Sequence, residues 1–143
     1  MPNAYYTEKL LGLQEVSIKK VNDTKENYEI FIEQPRKQCV CPACGKLTDK
    51  VHDYRTQRIK ELSAFEKPVV LVLRKRRYAC SCGKHFAEPN SFLPKYQRMT
   101  QRTILALIDR LRDCRSYSSV AREFRLSVPT VIRFFRNVRY SKP

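Results

Sequence analysis

Tryptophan is absent from this 143-residue chain, and glycine occurs only three times. That leaves little room for a Gly-rich nucleotide loop, whose backbone must turn sharply against phosphates. No apolar run approaches the ~20 residues of a membrane-spanning helix; the longest is Pro68–Leu73. No secretory signal is visible at the start, so a reducing cytoplasm is the expected compartment and a membrane is not an expected partner. Acids are scarce too. Five Asp and nine Glu stand against 29 Lys and Arg, and the carboxylates include no cluster that would make a catalytic triad.

What is present is charge and sulfur. A net charge of +15 and a pI near 9.8 favour a polyanionic partner, nucleic acid before acidic membrane. A hydrophobic content of 42% argues against wholesale disorder. The length suits one ordinary domain or two small ones. Six cysteines lie at 39, 41, 44, 80, 82 and 114. In a reducing compartment, closely spaced pairs read as metal ligands before disulfides.

Taken in order, residues 4–12 suit a short helix ended by Gly12. Leu13–Lys20 and Asn27–Gln34 then alternate apolar and polar residues around a turn-rich VNDTKE, which predicts a β-hairpin. Cys41-Pro-Ala-Cys44-Gly45 has the form of a zinc knuckle. Its two-residue spacer lets both thiolates reach one ion, and the glycine permits the turn beneath them. Two predicted strands, Val51–Leu62 and Pro68–Arg77, separate it from Cys80-Ser-Cys82-Gly83-Lys84-His85. The preferred ligand set is Cys41, Cys44, Cys80 and Cys82 around one structural zinc. The tighter C-x-C spacing leaves Cys39 or His85 open as a substitute. Cys114 reads as a partly buried thiol. Arg74, Lys75, Arg76 and Arg77 precede the second pair as a candidate DNA-binding run. On a strand such side chains alternate, so they cannot all face one surface.

Two prolines in Glu88–Lys95 mark a linker. Ile104, Leu107, Ile108 and Leu111 then predict a support helix over Gln101–Cys114. Ser116–Arg139 reads as helix, turn, helix, the arrangement that places one helix in a DNA major groove. The first helix is expected to begin at Ser118 or Ser119 and the second to be capped by Ser127. Arg125 stands where such motifs often place Gly. At about 100° per residue, Val128, Val131, Ile132, Phe135 and Val138 share one side of the second helix. Thr130, Arg133 and Asn137 point away, with Arg136 at the margin. Those four are the candidate DNA-reading residues.

The run CPACG, HDYRTQRIKEL, LRKRRYACSCGKHFAE and then the helix-turn-helix resembles the N-terminal half of bacterial insertion-sequence transposases of the ISL-three family. The resemblance covers essentially the whole chain, with Cys82 one residue early in the second knuckle. It implies an α+β fold: a β-rich zinc-ribbon or treble-clef-like module, then an all-α helix-turn-helix module. The expected divisions are 1–38, a zinc module at 39–90 and a helical module at 91–143. In that family such modules recognise terminal inverted repeats, ahead of a catalytic domain with three carboxylates and divalent metal. This chain ends at Pro143, where the family continues, so the expectation is a non-enzymatic DNA-binding region in the bacterial cytoplasm, with a homodimer an open option. The alternative is a stand-alone transcriptional regulator.

Overall fold

The computed structural model describes residues 11–13, 16–93, 98–113 and 115–139. The helix expected over 4–12, the thiol of Cys114 and the side chain of Val138 fall outside the description, apart from Leu11 and Gly12. Seven strands and three helices follow one another among the described residues. The strands are β1 Ser17–Asp23, β2 Tyr28–Glu33, β3 Cys39–Val40, β4 Leu47–Thr48, β5 Val51–Ala64, β6 Lys67–Ala79 and β7 His85–Ala87. The helices are α1 Gln101–Arg112, α2 Tyr117–Phe124 and α3 Val128–Arg139.

The organising unit is the long β5–β6 hairpin. The unbroken, β-branched-rich apolar run Pro68–Leu73 favours a buried strand, and the two-residue turn Phe65-Glu66 reverses the chain with both residues at positive φ. The sheet order is β1-β2-β6-β5. The first hairpin therefore does not stand apart from the zinc module, because β2 lies parallel to β6 from Tyr28↔Val69 to Glu33↔Arg74. Beyond the end of β2, β7 pairs with the last residues of β6 on that same strand. Ile30, Ile32, Ile59, Val69, Leu71 and Leu73 are buried together, with Leu11 and Val16.

A second core lies among the helices, where Leu107, Ile108 and Leu111 of α1 meet Val120 and Ala121 of α2 and Val131 and Phe134 of α3. Thr100 caps α1 by accepting from the Thr103 amide. The next helix starts one or two residues before the expected serines. Tyr117 is its first residue, and Ser116 accepts from the Ser119 amide at 3.1 Å. In α3 the deep aromatic is Phe134, whereas Ile132 is only half-buried and stands outside this cluster.

The basic run needs one correction. Arg76 is 7% exposed and lies in the interior. Its guanidinium donates to Glu33 at 2.8 Å, to Glu88 at 3.4 Å and to the Gln34 carbonyl, while its own amide donates to Glu88 at 3.1 Å. Arg76 thus ties the ends of β2 and β7 to β6 and offers nothing to a phosphate. Replacing one partner of a buried ion group strands the others, at a cost of roughly 3–5 kcal/mol. Arg76→Met should therefore lower the chemical unfolding midpoint steeply. An unchanged midpoint would return Arg76 to the surface.

Candidate metal centre and nucleic-acid interface

Two short turns bring the sulfurs together at the far end of the hairpin. In the first, the Cys41 amide donates to the Lys46 carbonyl at 2.8 Å, the Gly45 amide donates back to Cys41, and Gly45 takes φ +75°. The second repeats the device with one residue fewer. Cys80 donates to Lys84 at 2.9 Å, Gly83 donates to Cys80 at 3.0 Å, and Gly83 takes φ +90°. The glycine after each pair is what the turn requires, since a Cβ at such φ is strained. The shorter C-x-C spacing therefore still delivers Cys82.

The four sulfurs of Cys41, Cys44, Cys80 and Cys82 all lie within 4.8 Å of one another. Cys41 and Cys82 are 3.7 Å apart, and Cys44 and Cys80 are 3.4 Å apart. Disulfide sulfurs would be about 2 Å apart. Four thiolates around zinc at about 2.3 Å in a tetrahedron would be about 3.8 Å apart. The donor set fits that ion. The Cys82 amide and the Cys44 sulfur hold the Cys80 thiol down to about 6, making it a thiolate at neutral pH. Cys44 receives the Lys46 amide, yet the neighbouring Cys80 pushes it up to about 11. A dication removes that conflict by stabilising all four thiolates at once. Such a shell is closed and leaves no position for a reacting water. Cys39 lies outside the cluster, its sulfur 3.7 Å from the Lys37 carbonyl. The His85 ring stacks on that of His52, with centroids 4.0 Å apart.

The helical module carries the second feature. Val131 and Phe134 hold α3 against its neighbours, and Arg133, Arg136 and Asn137 are exposed. The Arg133 guanidinium stands 5.7 Å from the Phe134 ring centroid. Thr130 is half-buried, and its hydroxyl lies 2.7 Å from that of Ser127 at the helix start, so it belongs to the cap. The turn between the helices follows the pattern of such motifs despite lacking glycine. Arg125 adopts φ 54° and ψ 49°, and the Leu126 amide donates to Ala121 at 2.9 Å.

Of the remaining basic run, Arg74 stacks over Tyr54 at 3.8 Å, and Arg77 lies 3.0 Å from Asp53. Lys75 stands directly opposite Arg55 in the ladder. Like charges in that position repel, and an anion laid across them would relieve the repulsion. Arg55 was not singled out by the sequence reading; the strand register is the signal that finds it.

Comparison with known proteins agrees with both features. Residues 30–83 match the zinc-finger of transposase IS204/IS1001/IS1096/IS1165, and residues 88–139 match the helix-turn-helix domain of transposase family ISL3. By these two domains the chain belongs to the ISL3 transposase family. Its sequence is 32% identical over 128 residues to the transposase for insertion sequence element IS1001 of Bordetella parapertussis. That alignment covers 87% of this chain and 31% of the relative, so the chain spans about a third of the relative's length. No solved structure matches the ISL3-family chain. No helix among the described residues is long and apolar enough to cross a membrane.

The site yields a direct test. Cys41→Ser or Cys82→Ser should abolish stoichiometric zinc in metal analysis of purified protein, while Cys39→Ser should keep it. Full zinc content in Cys82→Ser would remove the C-x-C pair from the ligand set.

Proposed function

We propose that this chain is the DNA-binding region of an insertion-sequence transposase and holds the terminal inverted repeats of its element without itself cutting DNA. One zinc ion, held by Cys41, Cys44, Cys80 and Cys82, is structural and supplies part of the folding free energy of the ribbon. The observation that carries the reading is the division of α3, whose buried Val131 and Phe134 lie opposite exposed Arg133, Arg136 and Asn137. A helix so anchored can enter a major groove and present a guanidinium and an amide to base edges. Arg133 donates twice to a guanine and Asn137 pairs with an adenine, each contributing about 1–3 kcal/mol of discrimination. Arg55, Arg74 and Lys75 meet phosphates, a contribution that carries no sequence information. Ends in inverted orientation call for two copies of the chain, acting in the bacterial cytoplasm.

Selection of binding sites from a random duplex library should recover a sequence present at the ends of the parent element. Recovery of promoter sequences alone would favour a transcriptional regulator instead. With the recovered duplex and a scrambled one at a fixed salt concentration, Arg133→Ala should shrink the affinity ratio. Replacing Arg55 and Lys75 together with Ala should weaken both complexes alike. If Arg133→Ala leaves the ratio intact while the double variant collapses it, the ribbon reads the sequence and α3 is scaffold.

A further inference from the structure

The edge strand β5 ends its core-facing alternation on two adjacent residues of opposite charge, and each meets a different helix end. Glu61 is 4% exposed. Its Oε1 accepts from the hydroxyls of Thr100 and Thr103, each at 3.1 Å, and lies 3.5 Å from Arg102 Nε. These groups form the first turn of α1, where the free amides and the helix dipole favour an anion. Lys60 points to the other side of the strand. Its ammonium donates to the carbonyls of Phe124 at 3.1 Å and Arg125 at 3.0 Å, at the C-terminal end of α2, where a cation is favoured. The backbone joins in as well. The Lys60 amide donates to Arg98 at 2.8 Å, and the Thr100 amide donates to the Lys60 carbonyl at 3.1 Å.

Arg125 is the residue that gives this contact its meaning. It holds a left-handed conformation that disfavours residues with a Cβ by about 1–2 kcal/mol, and the direction of α3 depends on it. The ammonium binds the carbonyls on either side of that turn. Burial and the nearby Arg125 guanidinium lower the Lys60 pKa, which fits a lysine drawn in toward the turn despite a like charge.

We propose that Lys60, a residue of the zinc-ribbon sheet, is a positioning residue for sequence reading. It holds the αL turn at Arg125, so that α3 keeps one pose relative to the ribbon. Lys60 touches no base in this account. It acts through the turn, and the claim about discrimination rests on the reading of α3 given above.

The test is a double-mutant cycle on the full chain, using the duplex recovered by selection and its scrambled counterpart. Lys60→Met keeps the stem and removes the ammonium; Arg125→Gly adopts the left-handed turn without strain. Lys60→Met should cut the ratio of the two affinities roughly tenfold and speed hydrogen exchange of the Arg125 and Leu126 amides, with zinc content unchanged. Loss of one charge alone would lower both affinities and leave their ratio in place. In the Arg125→Gly background the effect of Lys60→Met should fall within about twofold. Wild-type exchange and an intact ratio in Lys60→Met would overturn the proposal. So would an equal loss in both backgrounds, which would place Lys60 on the DNA itself. If the wild-type chain prefers no duplex, the functional reading fails and specificity through Lys60 fails with it. Amide exchange at Leu126 then still decides whether Lys60 holds the turn.

Discussion

From Val51 to Ala64 the backbone of β5 follows that of β6 in a nearly continuous antiparallel ladder, interrupted by two irregularities. This ladder fixes the distance between the two ends at which the chain does its chemistry. One end leads into Cys80 and Cys82 and carries them to Cys41 and Cys44. Near the other end, the outer edge of β5 receives the helical module through Lys60 and Glu61. Neither end can move without disturbing paired backbone groups, and buried unpaired amides and carbonyls are costly. The hairpin thus sets where the four-cysteine ribbon and helix α3 stand relative to one another.

Charge is used in two distinct ways in this basic chain. Arg76 spends its guanidinium inside the fold, joining Glu33 and Glu88 so that β2 and β7 hold the same strand. Lys60 and Glu61 satisfy helix ends. These residues take part of the positive charge and part of the scarce acid out of reach of any ligand. What remains outward, including Arg55, Arg133 and Arg136, is exposed. Net charge alone therefore overstates the binding surface, and residue position decides which cations a phosphate can meet.

The clustering of Cys41, Cys44, Cys80 and Cys82 was legible in the sequence because each pair is followed by the glycine its turn demands, even where the spacing shortens from C-x-x-C to C-x-C. The β-branched-rich apolar run Pro68–Leu73 announced β6, and helical periodicity announced α1 and α3. Arg76 was not legible. A strand pattern tells that neighbours alternate, but only the lateral placement of β2 and β7 determines which face closes over it. The same holds for Lys60 and Glu61, whose partners lie about 40 or more residues away in the chain. Arg125 looked like a departure from the helix-turn-helix pattern because local sequence offers no glycine there. The missing support comes from another element. Thr130 lies within reach of the Ser127 hydroxyl at the helix start, a local pairing that helical periodicity does not show.

Entry of α3 into a major groove is tested most directly by methylation interference on the duplex recovered by selection. Guanine N7 lies in the major groove and adenine N3 in the minor groove. The prediction is that methylation of guanine N7 at a few neighbouring positions blocks binding, while methylation of adenine N3 within the same stretch does not. Interference confined to adenine N3, or absent altogether, would contradict it.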